Sequence, residues 1–206
     1  MKFSIENLAL SHDDRRVIEG VDAVLEPGRV TVVLGGVGAG KALLLRALAG
    51  RVDLDAGQIR LGGRLIGRFT KSERASAIML VGESRRGLFG KAPVDLADAI
   101  GAKPNWLFAA DPLSMLDPVS QFARIGQLRA AAQQGMGVVV TLADPVLAAR
   151  LADDVLLIGQ GRMLGFGPAR EVLEHRNLRQ AFGIEVMVIG DANGRLLPVP
   201  IGFATQ

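Results

Sequence analysis

The sequence predicts an α/β fold: a mainly parallel sheet flanked by helices, opened by N-terminal antiparallel strands and closed by a C-terminal β-hairpin. Three observations carry this. Short runs such as "VTVVL" (30–34) and "GVVVTLA" (137–143) are rich in β-branched residues and nearly free of polar ones, the pattern of strands buried on both faces. Helical segments lie between such runs. A glycine-rich loop joins the first run directly to a helix.

Taken in order, "KFSIENLAL" (2–10) alternates as a half-buried strand, and "HDDRRVIEGVDAVLE" (12–26) reads as a turn and a second strand. Pro27-Gly28 makes a turn into "VTVVL". After the glycine loop, "KALLLRALAG" (41–50) is a helix stopped at Gly50. "NWLFAA" (105–110) and 137–143 are buried strands around the helical "PVSQFARIGQLRAAAQQG" (118–135). A strand at 154–159, a turn at Gly159–Gly161 and a strand at 162–167 follow. "AREVLEHRNLRQAFG" (169–183) is expected as one helix, and "IEVMVIGDANGRLLPVP" (184–200) as two strands around an Asn193-Gly194 turn.

The loop "GGVGAGKALLL" (35–45) carries the chemistry. It fits the phosphate-binding pattern G-x-x-x-x-G-K at Gly35, Gly40 and Lys41, but Ala42 stands where Ser or Thr would offer a hydroxyl to magnesium. Backbone amides and a helix N-terminus can cradle phosphate without side chains, so Gly35, Gly36, Val37, Gly38, Ala39, Gly40, Lys41, Ala42 and Leu43 are the candidate nucleotide-binding residues.

Composition narrows the classes. The 206 residues are 49% hydrophobic, enough for a sizeable core, and one domain over 1–206 is expected. With no cysteine and two histidines, a thiol or His-built metal centre is not expected, and none is assigned. No apolar run approaches the ~18 residues of a membrane span, and Glu6 interrupts the N-terminal stretch that a signal peptide would need. A cytoplasmic protein without membrane insertion is expected. The net charge of +3 is spread among acids, and there is no tyrosine for base stacking, so nucleic acid is not the expected partner.

Taken together, the motifs resemble those of the ATP-binding subunit of an ABC transporter, and with it a P-loop NTPase-like fold. "EPGRVTVVLGGVGAGKALLLRALAG" resembles the strand, Walker A loop and helix; "AGQIRLGGRLI" the segment that follows; "WLFAADPLSMLDP" the Walker B strand and D-loop; "GVVVTLADPVLAARLADDVLLIGQGRMLGFGPAREVL" the switch strand and its sequel. The closing hairpin is most similar to the branch serving iron-siderophore, haem and cobalamin importers. The resemblance implies that the magnesium-side aspartate aligns with Ala110, the general base with Asp111 and the switch histidine with Ala143, next to Asp144. The Q-loop glutamine aligns with Gly82 or Glu83. Sliding the frame by one makes Asp111 the metal-side aspartate and puts Pro112 at the base; "PLSMLD" anchors the first frame. His12 stands where the family places an aromatic that stacks on adenine, and is also readable as an exposed turn residue. Asp117 and Asp144 read as residues that stabilise their own turn or cap a helix.

The family also places a helical subdomain with an L-S-G-G-Q-like signature before Walker B. Here only "GLFGKAPVDLADAIGAKPN" (87–105) intervenes, so residues 84–104 are expected to form a short connector. The resemblance then implies a degenerate subunit that binds ATP or ADP, holds magnesium poorly, hydrolyses little and works through contacts at the inner face of the membrane. Its partners would be an ABC permease, a second ATPase subunit or a second copy of the chain. Two other readings stand beside it: a working ATPase paired with a signature-bearing subunit, and a structural or regulatory domain whose loop stays empty.

Overall fold

The computed structural model describes residues 1–13, 15–82, 94–192 and 194–204. In chain order the elements are β1 (Phe3–His12), β2 (Arg15–Leu25), β3 (Val30–Leu34), α1 (Lys41–Leu48), β4 (Ala56–Leu61), β5 (Arg64–Leu65), a 3-10 turn (Ile66–Arg68), α2 (Lys71–Ala77), β6 (Ile78–Val81), α3 (Leu96–Gly101), β7 (Trp106–Ala110), α4 (Pro118–Gln133), β8 (Gly137–Leu142), α5 (Pro145–Leu151), β9 (Asp154–Gly159), β10 (Arg162–Pro168), α6 (Ala169–Val172), α7 (His175–Phe182), β11 (Ile184–Gly190) and β12 (Leu196–Phe203).

Ten strands form one curled sheet in the order β5-β4-β1-β2-β10-β9-β3-β8-β7-β6, and β11-β12 pair separately as an antiparallel hairpin. Strands β9, β3, β8, β7 and β6 are parallel neighbours. Strands β1, β2, β4 and β5 form an antiparallel arm. The arm joins the parallel half at a single registered pair, Arg162 with Glu19. This is the predicted α/β architecture. Every residue of β3 and β8 is buried, which explains why their sequences lack polar–apolar alternation.

Two cores lie on opposite faces of the sheet. One packs Val32, Leu107, Val140 and Leu157 against α3, α4, α5 and α7. The other gathers Phe3, Ile59, Trp106 and Phe108 around α1, whose Leu44, Leu45, Ala47 and Leu48 are all buried. Trp106 anchors this second core: its ring meets Phe3 edge-on at 4.9 Å between centroids, and its Nε1 donates to the Met1 carbonyl at 2.9 Å. A β-carbon at Gly137 would lie 2.4 Å from that ring, so the adjacent strand needs glycine at this register position.

One local feature differs from the sequence expectation, and one pair of elements has no counterpart in it. The single helix expected over 169–183 is broken between α6 and α7, where Glu174 is extended (φ −79°, ψ 158°) and the Asn177 side-chain amide donates to the Val172 carbonyl at 3.0 Å. That side-chain bond satisfies a carbonyl that an unbroken helix would have used. Also, α2 and β6 abut without a loop; α2 begins at a capping box in which Thr70 and Glu73 bond each other's backbone amides. At the closing hairpin Asn193 lies outside the described residues, and Gly194 has φ +74°. Of the expected connector, residues 84–93 lie outside the described residues; beyond them is α3, six residues capped by Asp95.

Candidate functional site

The loop between β3 and α1 is shaped by its glycines. A β-carbon on Gly35 would lie 2.6 Å from the Ile158 carbonyl oxygen, and one on Gly40 would lie 2.7 Å from the side chains of Val17 and Ile18. Gly38 and Gly40 are left-handed, at φ +80° and +87°. Gly36 and Val37 reach the tip, with Val37 fully exposed; Ala39 and Leu43 lean on the core, and Ala42 is exposed in the first turn of α1. Leu34 ends a strand pinned on both sides by β8 and β9, so the loop sits on rigid supports.

Lys41 curls back over the loop. Its Nζ donates to the Gly35 and Gly36 carbonyl oxygens, each at 2.7 Å. Partial burial pushes the lysine below its ordinary pKa, opposed by the attraction of Asp111. The structure thus brings Lys41 and Asp111, 70 positions apart, into electrostatic reach.

Asp111 follows β7 in a left-handed conformation, φ +51°, uncommon outside glycine and asparagine. Its backbone N–H donates to the buried Thr141 hydroxyl at 2.9 Å, and its carbonyl accepts from the Ser114 N–H and hydroxyl. The carboxylate is left exposed. Ala110, paired with Thr141 across β7 and β8, is half-buried and carries no oxygen. Gly82 follows β6 at φ +83°; a β-carbon there would lie 2.4 Å from the Ala110 carbonyl oxygen, so no glutamine side chain could stand at that position without displacing β7. Glu83 lies outside the described residues.

Ala143 is exposed just past β8, and the next residue, Asp144, caps α5 by accepting from the N–H groups of Val146 and Leu147 at 2.7 and 3.0 Å. Asp117 caps α4 in the same way, through Val119 and Ser120. Asp144→Ala should lower stability by about 1 kcal/mol, a typical capping loss, measurable by urea unfolding. His12 is exposed beside the β1–β2 turn, its Nε2 3.6 Å from Asp13. Val17 and Ile18 on the facing strand abut Gly40, so β2 lies against the phosphate loop.

Sequence reading passed over the cations beside the loop. A cavity of about 850 Å³ opens next to Ala42, Gly82 and Ala110, and Arg46, Arg51, Lys71 and Arg74 line it. Arg46 stands one turn along α1 from Ala42, on the same face. Lys71 and Arg74 come from α2, whose start was signalled by the T-x-x-E pattern at Thr70 and Glu73. The cavity offers positive charge where Ala42 and Ala110 offer no ligand oxygen.

A buried strand, a glycine loop and a lysine at a helix start, in a sheet of this order, define a P-loop NTPase-like protein. The ABC transporter family model matches residues 18–113. A hemin import ATP-binding protein, HmuV, of Pseudomonas aeruginosa is 31% identical over 238 aligned positions, covering 89% of this chain and 93% of the relative. Its namesake in Pseudomonas fluorescens is 28% identical, with 88% and 92% covered. In fold, the chain is similar to a metal-chelate type ABC transporter in an inward-facing conformation (TM-score 0.75, 20% identity, 97% of each chain). It is likewise similar to cbiO1 of Clostridium perfringens, part of the cbiONQ complex (TM-score 0.70, 16% identity, 85% of this chain and 92% of that one). The chain belongs to the ABC transporter family, as an ATP-binding subunit of the importer branch.

Proposed function

We propose that this subunit binds ATP or ADP on residues 35–43 with little help from magnesium, hydrolyses them poorly, and serves an importer through contacts with its partners. One observation carries the reading. The phosphate cradle is intact around Lys41, while the positions that would surround the metal and the γ-phosphate are Ala42, Ala110 and Ala143. These side chains do not fit a magnesium ion, which requires oxygen ligands in near-octahedral array. Among the described residues, Asp111 is the one carboxylate in electrostatic reach of Lys41, and it is the weak candidate base. His12, exposed at the end of β1, is the candidate adenine contact.

The partners proposed are a permease and a second ATPase subunit that supplies the signature. Alignment with the Pseudomonas aeruginosa relative spans more positions than this chain has residues, so the relative carries segments with no counterpart here. We assign that shortening to the connector at 84–104, within a single domain over 1–206. The names of the hemin import relatives favour haem as the cargo of the assembled transporter, and they also favour the competing reading of a working ATPase.

Magnesium dependence separates the two. Titration calorimetry should give ATP affinities that agree within about threefold with magnesium or with EDTA. Ala42→Ser with Ala110→Asp should raise the magnesium effect above that of either single change. A wild-type affinity that rises tenfold or more with magnesium, about 1.4 kcal/mol, would establish the working-ATPase reading instead.

A further inference from the structure

A second cavity, of about 780 Å³, lies at the opposite end of β3 from the phosphate loop, where β3 and β9 begin. Its walls come from α4, α5, α6 and the β11–β12 hairpin. Four arginines line it, and three have protein partners. Arg29 holds Asp154 through two hydrogen bonds of 2.6 and 2.8 Å. Arg170 reaches Glu171, and Arg195 Nη1 donates to the Arg150 carbonyl at 2.7 Å.

Arg129 is different. Its Nε is buried with no hydrogen-bond partner, the one side-chain nitrogen or oxygen so placed among the described residues. Burial and the nearby Arg195 both press its pKa downward, only partly offset by Asp153. Asp153 is itself engaged, accepting the Val30 N–H at 2.8 Å. Glu174 also lines the cavity, yet four guanidinium groups outnumber the two carboxylates. Apart from His175, which is paired with Glu185, the remaining wall is apolar and includes Leu173, Pro198 and the exposed hairpin residues Val188 and Leu196.

A guanidinium whose buried Nε has no partner, set beside a second guanidinium, costs stability in the free protein. The same pair is a fork for an oxyanion, which would satisfy Nε and relieve the repulsion between the two arginines. We propose that this cavity binds a small anionic amphiphile, a carboxylate or phosphate head on Arg129 and Arg195 with an apolar body against Leu173, Val188 and Leu196. The site is separate from the nucleotide loop and rests on none of its residues.

The test uses the full chain and three probes: hexanoate, phenyl phosphate and inorganic phosphate. Melting is followed in wild type and in Lys41→Ala, where phosphate can no longer gain from the lysine of the nucleotide loop. Hexanoate or phenyl phosphate at 100 times its Kd should raise Tm by ~5 °C or more in both proteins. A larger shift with hexanoate assigns a carboxylate head, and one with phenyl phosphate a phosphate head. Inorganic phosphate should shift Lys41→Ala less than phenyl phosphate does. Arg129→Met should melt higher than wild type in anion-free buffer and lose the shift; Arg195→Met should also lose it. The proposal is overturned if no probe shifts Lys41→Ala at 10 mM, if inorganic phosphate does as well as the amphiphiles, or if the shift survives both arginine substitutions. It is overturned as well if Arg129→Met melts lower, since Arg129 would then be structural.

Discussion

ATP turnover by the purified subunit is expected to stay at the no-enzyme background, with or without magnesium. Phosphoryl transfer depends almost wholly on positioning and on neutralising charge, and the metal is central to both. A missing general base typically costs ~10²–10⁴ in rate, and a missing preorganised donor ~10²–10³. In the proposed reading, Ala42, Ala110 and Ala143 take the places of metal and γ-phosphate groups, and Asp111 takes that of a glutamate one methylene longer. Such losses do not simply multiply, but their joint presence is the reason background-level turnover is expected. The basic cavity beside Ala42 can neutralise phosphate charge, yet it does not activate water. Magnesium-dependent release above background that disappears in Lys41→Ala would overturn this expectation.

The second large effect concerns Lys41 itself. ATP at 100 times its dissociation constant should stabilise the fold by ~2.7 kcal/mol, visible as a rise in melting temperature without any metal. Lys41→Ala should abolish most of that rise while leaving the ligand-free protein folded. In the free protein the ammonium spends its hydrogen bonds on the Gly35 and Gly36 carbonyls, and burial makes its charge less favourable than in water. Phosphate oxygens offer it a better partner and hold it charged. Lys41→Ala should therefore cost the free protein little and the complex much. An unchanged melting shift in Lys41→Ala would locate nucleotide elsewhere, and no shift in wild type at millimolar ATP or ADP would favour an empty loop.

The sheet was legible where burial was complete. "VTVVL" and "GVVVTL" announce themselves because both faces of β3 and β8 are covered, leaving no room for polar residues. The loop was legible because several of its glycines answer a physical demand: a β-carbon would clash at Gly35 and Gly40, and Gly38 and Gly40 are left-handed. What stayed hidden depended on contacts distant in sequence. Strand β6 is four residues long and directly follows a helix, so no turn residue marks its start. The break after α6 rests on one Asn177 side-chain bond. The left-handed turn at Asp111 is held by Thr141 from the next strand, and nothing in "AADPLS" signals it. Arg129 and Arg195 look like ordinary surface cations in sequence; only the packing of the hairpin near α4 leaves one of them short of a partner.

The junction between β2 and β10 has a mechanical meaning. With one registered backbone pair between them, the antiparallel arm is carried mainly by side chains that wedge α1 between arm and sheet. Such a joint resists compression better than shear. Displacing the arm presses Val17 and Ile18 directly on Gly40, whose missing β-carbon leaves no slack. The arm therefore touches the candidate nucleotide loop at β2 and presents β5 at the outer edge of the sheet.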